Sequence, residues 1–428
     1  MTKLADFSIR FGKQEYLPVV TGGMGVDIST SELALSAARI GAIGHISDAM
    51  APYISDRKFG TRFQNEKRKK FLQFADSMDK SQVKWDFESV YEANLNHCRS
   101  TMEAKTGSGA VFINVMEKLN MGAPAETLRA RLRGAMDGGI DGITLSAGLH
   151  NGTLKLAEDH PRFRDVKFGI IVSSARALKI FLRGADRVKR APDYIIVEGP
   201  LAGGHLGFGE DWKEHDLKSI VKDVLAFLEQ EGLKIPVIPA GGVFTGTDAC
   251  DFLALGASAV QVATRFTISQ ECGLPDKVKQ EYLRAREEDV VVNSISPTGY
   301  LMRMLSYSPC IQSNVKPNCE ALGYILDRDG KCLYHGAYER AGCDAEGNKL
   351  PVTERMCICY HFMKFSCYTC GHNVYRLKDT TVQLPNGEYY LPSAEHILTD
   401  YLYSEDHSIK LPHIAPQRSA EQAIVNAA

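Results

Sequence analysis

A histidine set among glycines is the first place in this chain where residue types and spacing suggest chemistry. Residues 198–207 read Glu-Gly-Pro-Leu-Ala-Gly-Gly-His-Leu-Gly. Small residues at 202–204 (Ala202, Gly203, Gly204) let the backbone pass close to a flat ligand, where a Cβ would collide. His205 beside them can exchange protons near neutral pH with whatever lies there. A glycine-rich turn containing a histidine is usually only a turn, so its meaning depends on the element before it.

Two further segments could hold an anion. Pro239-Ala240-Gly241-Gly242-Val243 and Gln261-Val262-Ala263-Thr264-Arg265 each follow a short apolar run. Backbone N–H groups at Gly241 and Gly242, with the Thr264 hydroxyl, suit a phosphate. A phosphate alone does not separate a flavin mononucleotide from a phosphorylated substrate.

The cysteines form a third constellation. Of eleven, Cys98, Cys250 and Cys272 are scattered, whereas eight fall between Cys310 and Cys370. Cys357, Cys359, Cys367 and Cys370 make a compact four-thiolate set, preceded by Cys310, Cys319, Cys332 and Cys343. Such spacing predicts a metal site in a reducing compartment. A 4Fe-4S cluster and zinc both accept four thiolates, so ligand type leaves the choice open. Zinc would clamp a segment poor in regular structure, and a cluster would suit a redox enzyme. His361 and His372 lie among these cysteines as substitute ligands or as ordinary surface residues.

The elements that must position these residues follow from apolar runs. LPVVT (17–21), GAIGHI (41–46), AVFINV (110–115), GIDGITLS (139–146), KFGIIVSS (167–174), DYIIVEG (193–199), IPVIPAGG (235–242) and SAVQVA (258–263) lack polar alternation. That is the pattern of parallel strands buried on both faces. Amphipathic stretches separate them; in LKSIVKDVLAFLEQEG, Ile220, Val224, Leu225 and Phe227 share a helical face. Eight such runs predict an α/β fold of the (β/α)8 barrel type in preference to an open sheet. The histidine loop then follows the sixth strand and the two anion segments follow the seventh and eighth, where barrel enzymes keep their functional loops.

The rhythm breaks over residues 51–109, read as an inserted helical lid or as a surface excursion whose Lys/Arg run is solvated. It ends near residue 300. The expected organisation is a barrel over 1–304 and a cysteine-rich extension with little helix over 305–428. The tyrosines of its tail (Tyr389, Tyr390, Tyr401, Tyr403) are expected to pack on the barrel, or on a second subunit in a homodimer.

Composition excludes several classes. With 428 residues, 44% hydrophobic, 24% charged and a net charge of −2, the chain shows no bias toward nucleic acid or an anionic membrane. The segment MTKLADFSIRFGKQEY has no signal-peptide pattern, and no apolar run approaches the ~20 residues that span a bilayer. A soluble, cytoplasmic enzyme acting on a small molecule is expected.

Together, AGGHLG after strand six, IPAGGV at strand seven and VQVATRF at strand eight resemble the nitronate monooxygenase (2-nitropropane dioxygenase) family and the related FMN-dependent enoyl-acyl-carrier-protein reductases. The resemblance runs from about residue 15 to 310. It implies FMN at the barrel mouth, with its phosphate near Gly241, Gly242, Ala263 and Thr264. It sets Thr21, Gly22, Gly23 and Met24 beside the flavin ring, with Asn114 as the flavin-contacting asparagine. Ser173, Gly203, Gly204 and Gln261 are further contacts, and His205 takes the place of the catalytic histidine. Two segments depart from the family: Thr-Gly-Gly-Met-Gly after the first strand, where Pro-Met-Ala or Pro-Met-Gly is common, and SPTGYLMRML at 296–305. The implied activity is oxidation of a nitronate or nitroalkane with oxygen to a carbonyl compound and nitrite. The alternative is a reductase drawing on NAD(P)H or an electron carrier to reduce an activated C=C bond, and the third reading is a non-catalytic flavin or metal scaffold.

Overall fold

The structure is a computed structural model that describes residues 2–414 except 118–120, 323–325 and 328. Each of the eight apolar runs forms a strand: β1 (Val19–Thr21), β2 (Ile43–Ser47), β3 (Ala110–Met116), β4 (Gly142–Ser146), β5 (Lys167–Val172), β6 (Tyr194–Glu198), β7 (Val237–Ala240) and β8 (Val260–Val262). They are parallel and close into a barrel in chain order, β8 pairing back to β1 through Val260 and Val19. The expected (β/α)8 barrel is thus observed. The strands are apolar throughout because one face meets the ring of helices and the other fills the barrel.

The barrel interior holds Val20, Ile43, Phe112, Tyr194, Ile196 and Ile238. A hairpin of Ile9–Phe11 and Gln14–Tyr16 plugs its amino-terminal end, bringing Phe11 to 5.4 Å from the Tyr194 ring. Polar groups in this interior satisfy one another. The Thr144 hydroxyl meets both the Tyr194 hydroxyl and His45 Nε2 at 2.5 Å. Burial holds the His45 imidazole down at about 4, so it stays neutral.

Outside the strands the helices start on side-chain caps that satisfy their first N–H groups. Thr30 caps Ser31–Arg39, Ser174 caps Ala175–Arg187, Asp216 caps Leu217–Gln230 and Thr245 caps Gly246–Ala254. In Leu217–Gln230 the buried stripe is Ile220, Val221, Val224 and Leu228, with Leu225 and Phe227 at its rim. The last ring position is filled from far away. Helix Ala394–Tyr403 buries Ile397, Leu398, Tyr401 and Leu402 in the same core. Its Asp400 pairs at 2.7 Å with fully buried Arg265 just after β8, and its Glu395 with Arg39 of the first ring helix at 3.4 Å. Residues between β8 and this helix, which include helices Asp276–Arg284, Leu333–Ala341 and Ile358–Met363, are therefore a long insertion that leaves the barrel and returns.

That insertion shares a second core with the 51–109 excursion. Ile54, Phe71, Val83 and Met121 pack with Met302, Met304, Met356 and six of the cysteines. Residue 80 donates its N–H to Gly330 O and Cys332 donates to Met78 O, tying the two segments at 2.8 and 3.2 Å. The basic run is not uniformly solvated. Arg68, Lys69 and Lys70 are exposed, but Lys67 is buried with its ammonium 4.0 Å from the Trp85 ring centre. Among the described residues no helix is long and apolar enough to cross a membrane.

Candidate active site at the barrel mouth

The histidine loop leaves β6 at Glu198 and is held from beneath. Gly204 and His205 form a two-residue strand against Arg303 and Met302, and Leu206 donates its N–H to Leu301 O at 2.9 Å. The buried Arg303 guanidinium donates to the carbonyls of Pro200 and Ala202 at 2.7 and 2.5 Å. A charged donor spanning two carbonyls of one turn fixes its shape more firmly than neutral contacts would. His205 Nε2 lies 2.7 Å from the hydroxyl of fully buried Ser296, which in turn meets Thr298 Oγ1 at 2.8 Å. The edge of Phe362 covers the imidazole at 6.4 Å between ring centres.

Gly241 and Gly242 follow β7 with φ of +97° and +92°, conformations that favour glycine, and their turn faces the histidine loop. A Cβ at Gly241 would lie 2.9 Å from Ala202 N. A groove of about 350 Å³ opens at the outer rim of this turn, between Pro200, Leu201, Gly241 and Gly242 and the helix residues Lys218, Asp248 and Asp251, and His205 does not line it. Thr264, after β8, faces Gly371 of the returning loop, whose Cβ would lie 2.3 Å from the threonine hydroxyl. His372 N donates to Leu201 O at 3.1 Å and Asn373 Nδ2 to Gly242 O at 2.9 Å, so the loop borders the turn at Gly241 and Gly242.

On the other side of the mouth, Gly22 donates to Val262 O at 2.8 Å, and a Cβ there would meet Ala263 at 3.1 Å. Gly23 lies flat against Asn114, where a Cβ would come within 2.5 Å. The Ser146 hydroxyl donates to Asn114 Oδ1 at 2.5 Å and fixes that amide. Met24 N donates to Ser29 Oγ at 2.8 Å, and Ser173 donates to Gly207 O at 3.0 Å. Thr21 differs from its neighbours: its hydroxyl accepts from His45 N at 3.1 Å inside the barrel wall.

The structure thus gathers Gly22, Gly23, Met24, Asn114, Ser173, Gly203, Gly204, His205, Gly241, Gly242, Gln261, Ala263 and Thr264 at the carboxyl ends of β1, β3, β5, β6, β7 and β8. One buried polar atom fits a bound group such as FMN. Gln261 Oε1 is buried without a hydrogen-bond partner among the described residues, as a group awaiting a ligand donor would be. The glycines at 22, 23, 203 and 241 instead pack directly on Ala263, Asn114, Cys370 and Ala202, whereas a Cβ at Gly204 would have nothing within 4 Å. Three site residues were not legible beforehand: Ser296, Arg303 and Glu198. The only signal for the first two was that SPTGYLMRML departs from the family pattern. Glu198 ends β6, and burial raises its carboxyl to about 7.

The spacing-based cysteine set is not assembled as one site. Cys357 and Cys359 lie with Cys319 and Cys332 instead. Cys367 turns to Cys310 and to Met356 Sδ at 3.9 Å, and Cys370 packs in a separate core with Tyr282 and Val374. The local segment explains the split. Helix Ile358–Met363 carries the chain away from Cys359, and His361 Nδ1 pairs with Ser366 Oγ at 2.7 Å in the turn that follows. Among the described residues no three His, Cys, Asp or Glu side chains converge on one ion position.

Comparison with known proteins agrees with the motifs. The family model described as nitronate monooxygenase matches residues 144–328. A (3aS,4S,5R,7aS)-5-hydroxy-7a-methyl-1-oxo-octahydro-1H-indene-4-carboxyl-CoA dehydrogenase of Rhodococcus jostii is 35% identical over 101 residues, 24% of this chain and 26% of that one. A probable nitronate monooxygenase of Staphylococcus haemolyticus is 30% identical over 105 residues, 24% of this chain and 29% of that one. The chain thus spans between a quarter and a third of the length of these curated relatives. FabK of Thermotoga maritima superposes with a TM-score of 0.53 at 19% identity, covering 90% of this chain and 91% of that one, which shows the shared fold. The resemblance to the nitronate monooxygenase family is borne out.

Proposed function

We propose that this chain, similar to the nitronate monooxygenases over residues 144–328, is an FMN-dependent oxidoreductase that oxidises a nitronate or nitroalkane with oxygen. The products are a carbonyl compound and nitrite. One observation supports this above the others: His205 stands on a glycine loop that faces the turn at Gly241 and Gly242, with Nε2 2.7 Å from the Ser296 hydroxyl.

Bound FMN supplies the electron acceptor that oxygen later restores. The chain's own residues do the rest. Backbone N–H groups of Gly241 and Gly242 and the Thr264 hydroxyl would hold its phosphate, and Gly22, Gly23, Asn114 and Gln261 would contact its ring. Arg303 keeps the histidine loop in place. With a neutral nitroalkane, His205 takes the proton from the carbon bearing the nitro group, and Ser296 orients the imidazole. With a preformed nitronate the imidazole orients the anion instead. Such positioned acid–base catalysis is worth ~10²–10⁴-fold. His205→Asn is expected to keep flavin and to lose turnover of neutral nitroalkane by ~10²–10⁴-fold. Unchanged turnover in a flavin-loaded variant contradicts the role.

A second reading has its own support. The Rhodococcus relative is named as a dehydrogenase of a carboxyl-CoA compound. A proton next to a thioester carbonyl is acidified as one next to a nitro group is, so the same histidine serves a dehydrogenase or a C=C reductase. NAD(P)H or a one-electron carrier then exchanges electrons with FMN. Anaerobic bleaching of the flavin separates the two: a nitronate alone bleaches it in the first reading, NAD(P)H or an acyl-CoA in the second.

A further inference from the structure

We propose that Cys319, Cys332, Cys357 and Cys359 ligate an iron–sulfur cluster, with Lys67 and Lys80 as its buried counter-charge. The inference is independent of which substrate the flavin site takes.

The four thiols come from three segments yet form one continuous group. Cys319 and Cys332 Sγ are 3.7 Å apart, and Cys359 lies beside Cys319 and Cys357 in the same buried core. All four are at most 5% exposed, and none of the chain's cysteines forms a disulfide. Buried free cysteines are ordinarily inert small hydrophobes. What sets these apart is the charge beside them.

Lys67 and Lys80 are 4% and 0% exposed in this otherwise apolar core. Lys67 Nζ donates to Cys319 O at 3.2 Å, and Lys80 Nζ donates to Ala75 O at 3.0 Å. The nearest carboxylate is Glu320, 3.9 Å from Lys80, so two ammonium groups share one acid. Buried cations are costly unless an anion compensates them. Four thiolates around a metal centre supply that anion.

A redox cluster suits this position better than a structural zinc. Helix Ile358–Met363 begins at the thiol group and ends with Phe362 against His205. The sulfur core and the barrel mouth are therefore joined by a six-residue element. In the structure the thiols touch one another rather than surround a metal, so loading spreads them apart.

The test uses the full chain purified without oxygen. Iron and acid-labile sulfide, with a paramagnetic signal after dithionite reduction, are expected in the wild type. Cys319→Ser and Cys332→Ser should lose both, while Cys367→Ser and Cys370→Ser keep them. Should the first pair fail to fold, Lys80→Met gives a second readout: removing the buried charge should move the cluster's midpoint potential to a lower value. Zinc in place of iron and sulfide, or no metal, overturns the proposal. So does iron retained in the Cys319 and Cys332 variants, or an unmoved potential in Lys80→Met.

Discussion

At the barrel mouth nearly every residue of the candidate site sits within a few positions of a strand end, and the strand fixes where it points. In the sulfur-lined core beside it, Cys319, Cys332, Cys357 and Cys359 are brought together across long stretches of chain by packing against the 51–109 excursion. The first region is assembled by a repeating framework and the second by contacts that no local pattern encodes. The two meet at residues 302–304, which pair with the histidine loop through Met302 and Arg303 and enter the sulfur-lined core through Met302 and Met304, with residues 370–373 crossing beside them. A site whose walls come from both regions can be damaged from either side, and the substitutions that follow probe that junction.

Arg303 should give the largest effect. Arg303→Met leaves the Pro200 and Ala202 carbonyls without their charged donor. Charged hydrogen bonds are worth about 1.5–3 kcal/mol each, so FMN affinity is expected to fall at least ~10-fold in flavin titrations. An unchanged dissociation constant would mean that the loop holds its shape without the second region.

Gly203→Ala presses on the same junction sterically. The added Cβ would come within 2.6 Å of the Cys370 carbonyl carbon, a backbone atom that cannot swing away. Forcing the segments apart is expected to cost about 1–3 kcal/mol in urea unfolding. A wild-type midpoint would show that the contact is loose.

Ser296→Ala touches only the orientation of His205. A net hydrogen-bond value of about 1 kcal/mol predicts a ~5-fold drop in kcat with flavin binding intact. The pH profile should shift with it, which a purely structural role for Ser296 would not produce.

Glu198→Gln keeps the shape of the strand end and removes only its titration. Burial raises the folded carboxyl to about 7, above its unfolded value of 4.5. The folded state therefore holds the proton more tightly, and stability falls as pH rises from 4.5 to about 7, then levels. The flavin-free variant should match wild type in melting temperature at low pH and exceed it above neutrality. Parallel curves at all pH values would remove Glu198 as a titrating group.

How much of this was readable follows from the same contrast. The barrel strands were visible as apolar runs because both of their faces are buried, and the mouth was visible because its turns need glycine. Ser296 was not, since it reaches His205 from 91 positions away on an irregular segment with no periodicity. Lys67 was hidden in a basic run of which it alone turns inward. The cysteines misled for a related reason. Close spacing suggested that Cys367 and Cys370 join Cys357 and Cys359, but an intervening helix and turn carry them to Cys310 and to the Tyr282 core. Helix Ala394–Tyr403 likewise belongs to the barrel ring although more than 130 positions separate it from β8.

The most direct test is an anaerobic absorption titration of the full chain and of His205→Asn, reconstituted with FMN. The account predicts stoichiometric flavin in both, bleached by a neutral nitroalkane in the wild type and at least ~10²-fold more slowly in the variant. A chain that binds no flavin, or a variant that bleaches at the wild-type rate, would contradict it.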